Sequence, residues 1–342
     1  MYGVKYAPFR YNGAINVENC KTAADVMSAA GLNWKVEKCP LVAKMPILDN
    51  NKYGFNYDNN NYVDCNNAYA TYRTDYNIPL GIVKGRYTIV QNIDAFNFFD
   101  NAIGKDKAIW QTAGFFGNGE RIFVSAKLPK NIIVNGTDPV ENYLVFTTSH
   151  DGSSGVKILF TPIRIVCQNT LNAAIKNATN YISFRHTNSV HKNIDIANEI
   201  LGICNRNIYN LEQQYNRFAK EECGDSFAQT IFANTILSNT ELENIKLTGH
   251  NIHQIIMRDN IAITDSNISM KKVNVLSEIN NYYYDGIGQK EFIGTKWGVL
   301  NAISGYYSNV DNSEGLKRMD SLLFGDKANK LELSNKLLLE EV

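Results

Sequence analysis

Two apolar, β-branched runs on either side of a short polar segment constrain this chain more than any other feature. Tyr143–Thr148 and Val156–Val166 are separated by Ser149–Gly155, in the stretch YLVFTTSHDGSSGVKILFTPIRIV. Such runs read as strands and Asp151-Gly152 reads as a turn, so the chain must build a hairpin on which a sheet can grow. Cys167-Gln168-Asn169-Thr170 follows, and Leu171–Ile175 reads as a helix start. A third strand, Tyr181–His186, ends on Arg185 and His186. Polar side chains thus gather at both ends of an apolar hairpin, where loops ordinarily hold function.

The chain before the hairpin supplies more strands than helices. Thr22, three residues before Asp25, reads as the N-cap of a helix carrying Val26, Met27 and Ala30, with Gly31 as its C′ residue. Leu32–Val36 alternates and reads as a strand. Residues 49–77, rich in Asn, Tyr and Asp, read as a long surface loop or a β-hairpin with an Asn-rich tip. Gly81–Val90 is strand-like with a turn or bulge at Gly85, and Asn92 reads as the cap of a helix over Ile93–Ile103. Ala108–Phe116 and Arg121–Leu128, joined by Gly117-Asn118-Gly119, form a second hairpin, and Asn131–Val134 leads into the first. Helices do not alternate with every strand, so the fold class is α+β: mainly antiparallel sheet with helices on one face and a helical C-terminal part.

Beyond His191 the apolar spacing becomes helical, with expected helices at Ile194–Phe218, Ser226–Leu237, Asn251–Arg258, Lys296–Tyr306 and Lys327–Glu341. The chain divides into an α+β core over 1–192, with an N-terminal arm and the Asn/Tyr-rich insertion, and a mainly helical part over 193–342 that packs on the same core or stands beside it.

Charge is uneven beneath a net of zero. Residues 81–192 carry 12 Lys and Arg against 7 Asp and Glu, and residues 193–342 carry 14 against 20. A basic middle beside an acidic C-terminal part suits a core that faces a polyanion, although a surplus of this size also falls within ordinary scatter. The six cysteines include no C-x-x-C pair, which argues against zinc knuckles and disulfide scaffolds. No apolar run approaches the roughly 20 residues that cross a bilayer, and the first residues lack a secretory core, so a cytoplasmic location, away from membrane, is expected.

Three sets of residues are candidate sites. His150, Asp151 and Ser153 offer a base, a carboxylate and a hydroxyl, but neighbours on an extended chain point to opposite sides, so the plainer reading is a structural turn. His186 and His191 could join His150 and Asp151 around a metal, though H-E-x-x-H is absent and no metal or other cofactor is expected. Arg164, Gln168, Asn169, Arg185 and His186, with Lys157 and Arg86, offer guanidinium forks and amides for a phosphate-bearing strand. The competing reading has Asn169 and Thr170 capping a helix and Arg164 pairing with Asp151 or Glu141. Without G-x-x-x-x-G-K-[ST], an ATP-driven motor is not expected.

AGLNWKVEKCPL, GIVKGRYTIVQN, SHDGSSG, TPIRIVCQNTLNAA, FRHT, GTKWGVLNAISGYYSN and LLFGDKANKLELSNKLL, in that order, resemble the phage/plasmid-like protein family (domain of unknown function 932). The resemblance reaches from about Ala30 to Leu338, with the insertion at 49–77 and the N-terminal arm departing from it. It implies carriage on a phage, prophage or plasmid, and no catalytic mechanism. Together these observations suggest a DNA-transaction protein that binds or anneals single-stranded DNA as a homo-oligomer, without a nucleotide cofactor. The alternatives are a module that binds a host or phage protein through its acidic C-terminal part, and a metal-dependent hydrolase or nuclease using His150, Asp151 and His186.

Overall fold

The expected hairpin lies at the middle of an antiparallel sheet. The computed structural model describes residues 14–45, 47–48, 55–56, 62–103, 108–164, 169–170, 181–184 and 194–340. In chain order come β1 (Ile15–Asn16), α1 (Ala23–Ala29), β2 (Val36–Lys44), β3 (Ile47–Leu48), β4 (Phe55–Asn56), β5 (Tyr62–Arg73), β6 (Ile78–Lys84) and α2 (Asn92–Ile103). Then follow β7 (Ile109–Phe116), β8 (Arg121–Lys127), β9 (Ile132–Val134), β10 (Asp138–Ser149), β11 (Val156–Arg164), β12 (Asn169–Thr170) and β13 (Tyr181–Phe184). The rest is helical: α3 (Ile194–Lys220), α4 (Asp225–Ile236), α5 (Asn239–Leu247), α6 (Ile252–Ile256), α7 (Asn260–Asp265), α8 (Met270–Asp285), α9 (Lys296–Gly305), α10 (Gly315–Leu323) and α11 (Asp326–Glu340).

The main sheet has eight strands in the order β1-β7-β8-β10-β11-β12, with β9 extending the β8 edge of β10 and β13 sharing the β12 edge of β11. Every pairing within it is antiparallel, and Leu144↔Phe160 and Phe146↔Ile158 set the central register. A second sheet, β2-β5-β6, is also antiparallel, so residues 62–73 do form one arm of a hairpin. The Asn-rich tip itself lies outside the described residues.

Alternation along β10 sends side chains to two different cores. Val140, Leu144 and Phe146 join the larger one, where Phe99 of α2 meets Phe146 at 5.9 Å and Trp110 at 5.6 Å between ring centroids. Tyr143 and Val145 face the other way, onto Met319 and Leu323 of α10. Helices therefore also cover the second face, through α10. The larger core includes residues from Val17 to Leu338, with the ring of Tyr215 of α3 tilted against that of Trp297 of α9 at 4.8 Å between centroids.

Local chemistry explains most of the boundaries. Thr22 and Asp25 form a reciprocal capping box at α1, as their spacing suggests, and Gly31 ends it at φ +67°. Ser238 and Glu241, and Asn251 and Gln254, do the same for α5 and α6. Four expectations are corrected. Of the strand expected over Leu32–Val36 only Val36 belongs to β2, because Asn92 Nδ2 takes the Leu32 and Trp34 carbonyls. Residues 85–86 turn the chain out of β6, so Tyr87–Val90 is not strand. Asn92 opens α2 instead of capping it, and its side chain is engaged elsewhere. Asn169 and Thr170 pair with Arg164 and Ile163 as β12, because the open edge of β11 offers them backbone partners. The expected helix at Leu171–Ile175 lies outside the described residues.

Candidate functional site

The loop between β10 and β11 holds His150, and the fold seals that histidine in. Its backbone N–H donates to Glu120 O at 2.7 Å and its carbonyl accepts from Thr71 Oγ1 at 2.7 Å. Asn92 Nδ2 donates to the carbonyls of Leu32 (2.9 Å) and Trp34 (3.2 Å), so its Oδ1 is the acceptor facing His150 Nε2 at 2.9 Å. That arrangement places the proton on Nε2. The edge of Trp34 closes over the imidazole at 5.4 Å between centroids, and Arg73 stacks 4.5 Å above Trp34.

The rest of the loop ties the two sheets together. Asp151 Oδ1 accepts the N–H of Ser153 at 2.8 Å, which closes the turn, and Gly152 sits at φ +77°. Gly81 of β6 lies so close beneath that a Cβ there would come within 2.5 Å of the Asp151 Cα. Tyr87 donates its hydroxyl to Ser149 O at 2.7 Å, and burial raises that phenol far enough to keep it a neutral donor. His150 and Asp151 thus have separate structural partners, and they do not face each other as base and carboxylate.

Arg164 is also inside. It is 1% exposed, with Nε 2.6 Å from Asp138 Oδ2 and Nη2 donating to Gly288 O at 2.8 Å. Trp297 Nε1 donates to the same Asp138 oxygen at 2.9 Å, and Phe292 lies 5.2 Å from the guanidinium carbon. Arg164 therefore pairs with Asp138, not with Asp151 or Glu141, and a guanidinium so enclosed cannot reach a phosphate on the surface. Asn169 is placed as a Cα partner of Arg164 in β12. Gln168, Arg185 and His186 lie outside the described residues. Arg86 is exposed, in the turn beyond β6 whose Gly85 and Tyr87 carbonyls accept from Lys38 Nζ at 3.0 and 3.1 Å.

Lys157 and Ser153 come together in an open cleft of about 760 Å³ between the end of the main sheet and α10. Arg121 of β8 joins them, bonded to Ser153 Oγ at 3.4 Å and ion-paired with Asp320. Lys157 Nζ lies 4.5 Å above the Phe324 ring. Burial lowers the pKa of the Lys157 ammonium, with Asp320 opposing that fall and Arg121 adding to it. Lys317, Ser154 and Ser321 line the same cleft, which therefore presents three cations, three hydroxyls and one aromatic ring beside Asp320 and Asp326. Nothing in the sequence flags Arg121 or Lys317, because α10 reaches this end of the sheet nearly 200 residues downstream of β8. Among the described residues no group of three His, Cys, Asp or Glu side chains could hold a metal ion, and no helix is long and apolar enough to cross a membrane.

Fold and site define an α+β protein with a mixed-charge, cation-bearing cleft at one end of its sheet. A family model described as Domain of unknown function (DUF932) matches residues 79–331, well over half of the chain, and the protein belongs to that family. No curated protein and no solved structure matches it.

Proposed function

We propose that the protein is a phage- or plasmid-encoded DNA-transaction protein that holds single-stranded DNA in the cleft between β11 and α10, without a nucleotide cofactor. The observation that carries this reading is the convergence of Arg121, Lys157 and Lys317 on one open groove containing Phe324. Phosphates of a single strand would meet the ammonium and guanidinium groups and the Ser153 and Ser154 hydroxyls, while a base stacks on the aromatic ring. Asp320 neutralises Arg121 in the free protein and would release it when a phosphate arrives, so part of the attraction is held in reserve. Arg86, exposed in the turn beyond β6, is assigned to the same proposal as a separate phosphate contact. Several copies along one strand would suit an annealing role, and the homo-oligomer expected from the sequence belongs to that proposal. The test is binding to a fluorescent oligonucleotide across a salt series, with cleft variants.

A second reading is a module that binds a host or phage protein. It is favoured by the apolar side chains on the outer part of β2, β5 and β6, where Val42, Tyr62, Val63 and Ile82 are exposed, Ile82 by 64%. β2 and β6 are the outer strands of this sheet and have no further partner strand among the described residues, which suits addition of a partner strand. Binding that persists at high salt, to a protein and not to DNA, is the outcome this reading expects.

A further inference from the structure

A second cavity, of about 660 Å³, opens between α4, α5, α6 and α8. Its size lies within the roughly 300–1,000 Å³ of small-molecule sites. Ile245, Ile252 and Tyr284 supply apolar wall, and Gln229, Asn280 and His253 supply polar groups.

The two amides stand where apolar residues would be expected. Gln229 is 7% exposed and shares its face of α4 with Phe232, Ala233 and Ile236. Asn280 is 4% exposed and shares its face of α8 with Val273, Leu276 and Tyr283. An amide in such a place is costly unless its hydrogen bonds are made, by the protein or by whatever fills the cavity. Of the eight hydrogen-bonding positions on the two amides, three are used within the protein. Gln229 Nε2 lies 3.5 Å from Asn280 Oδ1 and 3.2 Å from His253 Nδ1. Gln229 Oε1 and Asn280 Nδ2, one acceptor and one donor, have no hydrogen-bond partner among the described residues. Rotating both amides exchanges the atoms but still leaves one donor and one acceptor.

We infer that this cavity binds an uncharged, flat heterocycle with a donor and an acceptor on neighbouring atoms, the edge that a nucleobase presents. The buried polar groups carry no charge, so the buried part of the ligand carries none either. Asp225 and Lys246, which do, are exposed lining residues. Amide side chains read base edges through this donor-and-acceptor pairing. Tyr284 remains a neutral phenol, since burial and then its hydrogen bond to Asp225 push its pKa up to about 12. A free nucleoside and a base presented by a strand share this edge, and the arms of the test separate them.

The experiment titrates the full-length protein with adenosine, guanosine, cytidine and uridine, then with a short oligonucleotide, following binding by calorimetry and by ligand-observed NMR. These nucleosides carry no phosphate, so their binding stands or falls apart from the basic cleft. At least one nucleoside is expected to bind, and Gln229→Leu and Asn280→Leu are each expected to weaken it at least about tenfold, or 1.4 kcal/mol. Ile252→Trp leaves the amides in place and fills the cavity, so it is expected to abolish binding even if the amide variants fail to fold. Binding of the oligonucleotide alone, lost in the same variants, would assign the edge to a base in a strand. Failure of every nucleoside and of the oligonucleotide to show binding that these variants weaken would overturn the inference.

Discussion

His150 Nε2 lies 2.9 Å from Asn92 Oδ1, and this one contact joins the hairpin loop to the start of α2 and, through the Asn92 amide, to the segment Leu32–Trp34. A histidine that reads in the sequence as a potential base is a buried bolt between three parts of the fold. Asn92→Ala would leave two carbonyls and an imidazole N–H buried without their partner. We expect a loss of about 1–3 kcal/mol, measured by urea unfolding, and a His150→Ala protein that loses stability of the same order.

Gly81 tests the same junction from the small sheet. A methyl group there would press on the Asp151 backbone from 2.5 Å. Backbone cannot move aside as the end of a side chain can. Gly81→Ala is expected to cost about 1–3 kcal/mol and to lower Tm, whereas Gly136→Ala, with nothing within 4 Å of its Cβ position, is expected to show only the strain of its φ of +75°.

Arg164 and Asp138 are a buried ion pair with an added hydrogen bond from Trp297. Removing one partner leaves the other charge uncompensated, so Arg164→Met is expected to destabilise by about 3–5 kcal/mol. Replacing both with apolar residues is expected to recover much of that loss. Thermal unfolding of the single and double variants checks it.

Asp311 gives stability a dependence on acid. Burial alone would raise its pKa, but hydrogen bonds from Lys327 and Ser313 outweigh that and lower it. Its contribution is therefore full above the unfolded carboxylate value of about 3.9 and is lost as pH falls through the lower folded value. Urea midpoints measured between neutral pH and the acid limit are expected to fall in that window, and less steeply in Asp311→Asn.

Much of the fold was legible because it is written in local chemistry. Glycine turns and β-branched runs gave the two central hairpins, and Thr22 with Asp25 gave the cap of α1. The helix α8 is not evident in the sequence, although Val273, Leu276, Ile279 and Tyr283 follow helical spacing, because an Asn pair and three consecutive tyrosines obscure the stripe. The site was far less legible. Arg164 looks like a surface cation until Asp138 and Trp297 arrive from 26 residues before it and 133 after it. Lys157 gained its cleft only when α10 brought Lys317 and Phe324 alongside. Which cations are buried and which are presented is decided by contacts that no local pattern records.

The most direct test of the proposed function is the affinity for a fluorescent single-stranded oligonucleotide as salt is raised. The account predicts micromolar or tighter binding at low salt that weakens with added salt. Lys157→Gln and Lys317→Gln are each expected to flatten the slope of log affinity against log salt by about 0.7, one single-strand phosphate contact apiece. Absence of binding at low salt, or a slope unchanged in both variants, would contradict it.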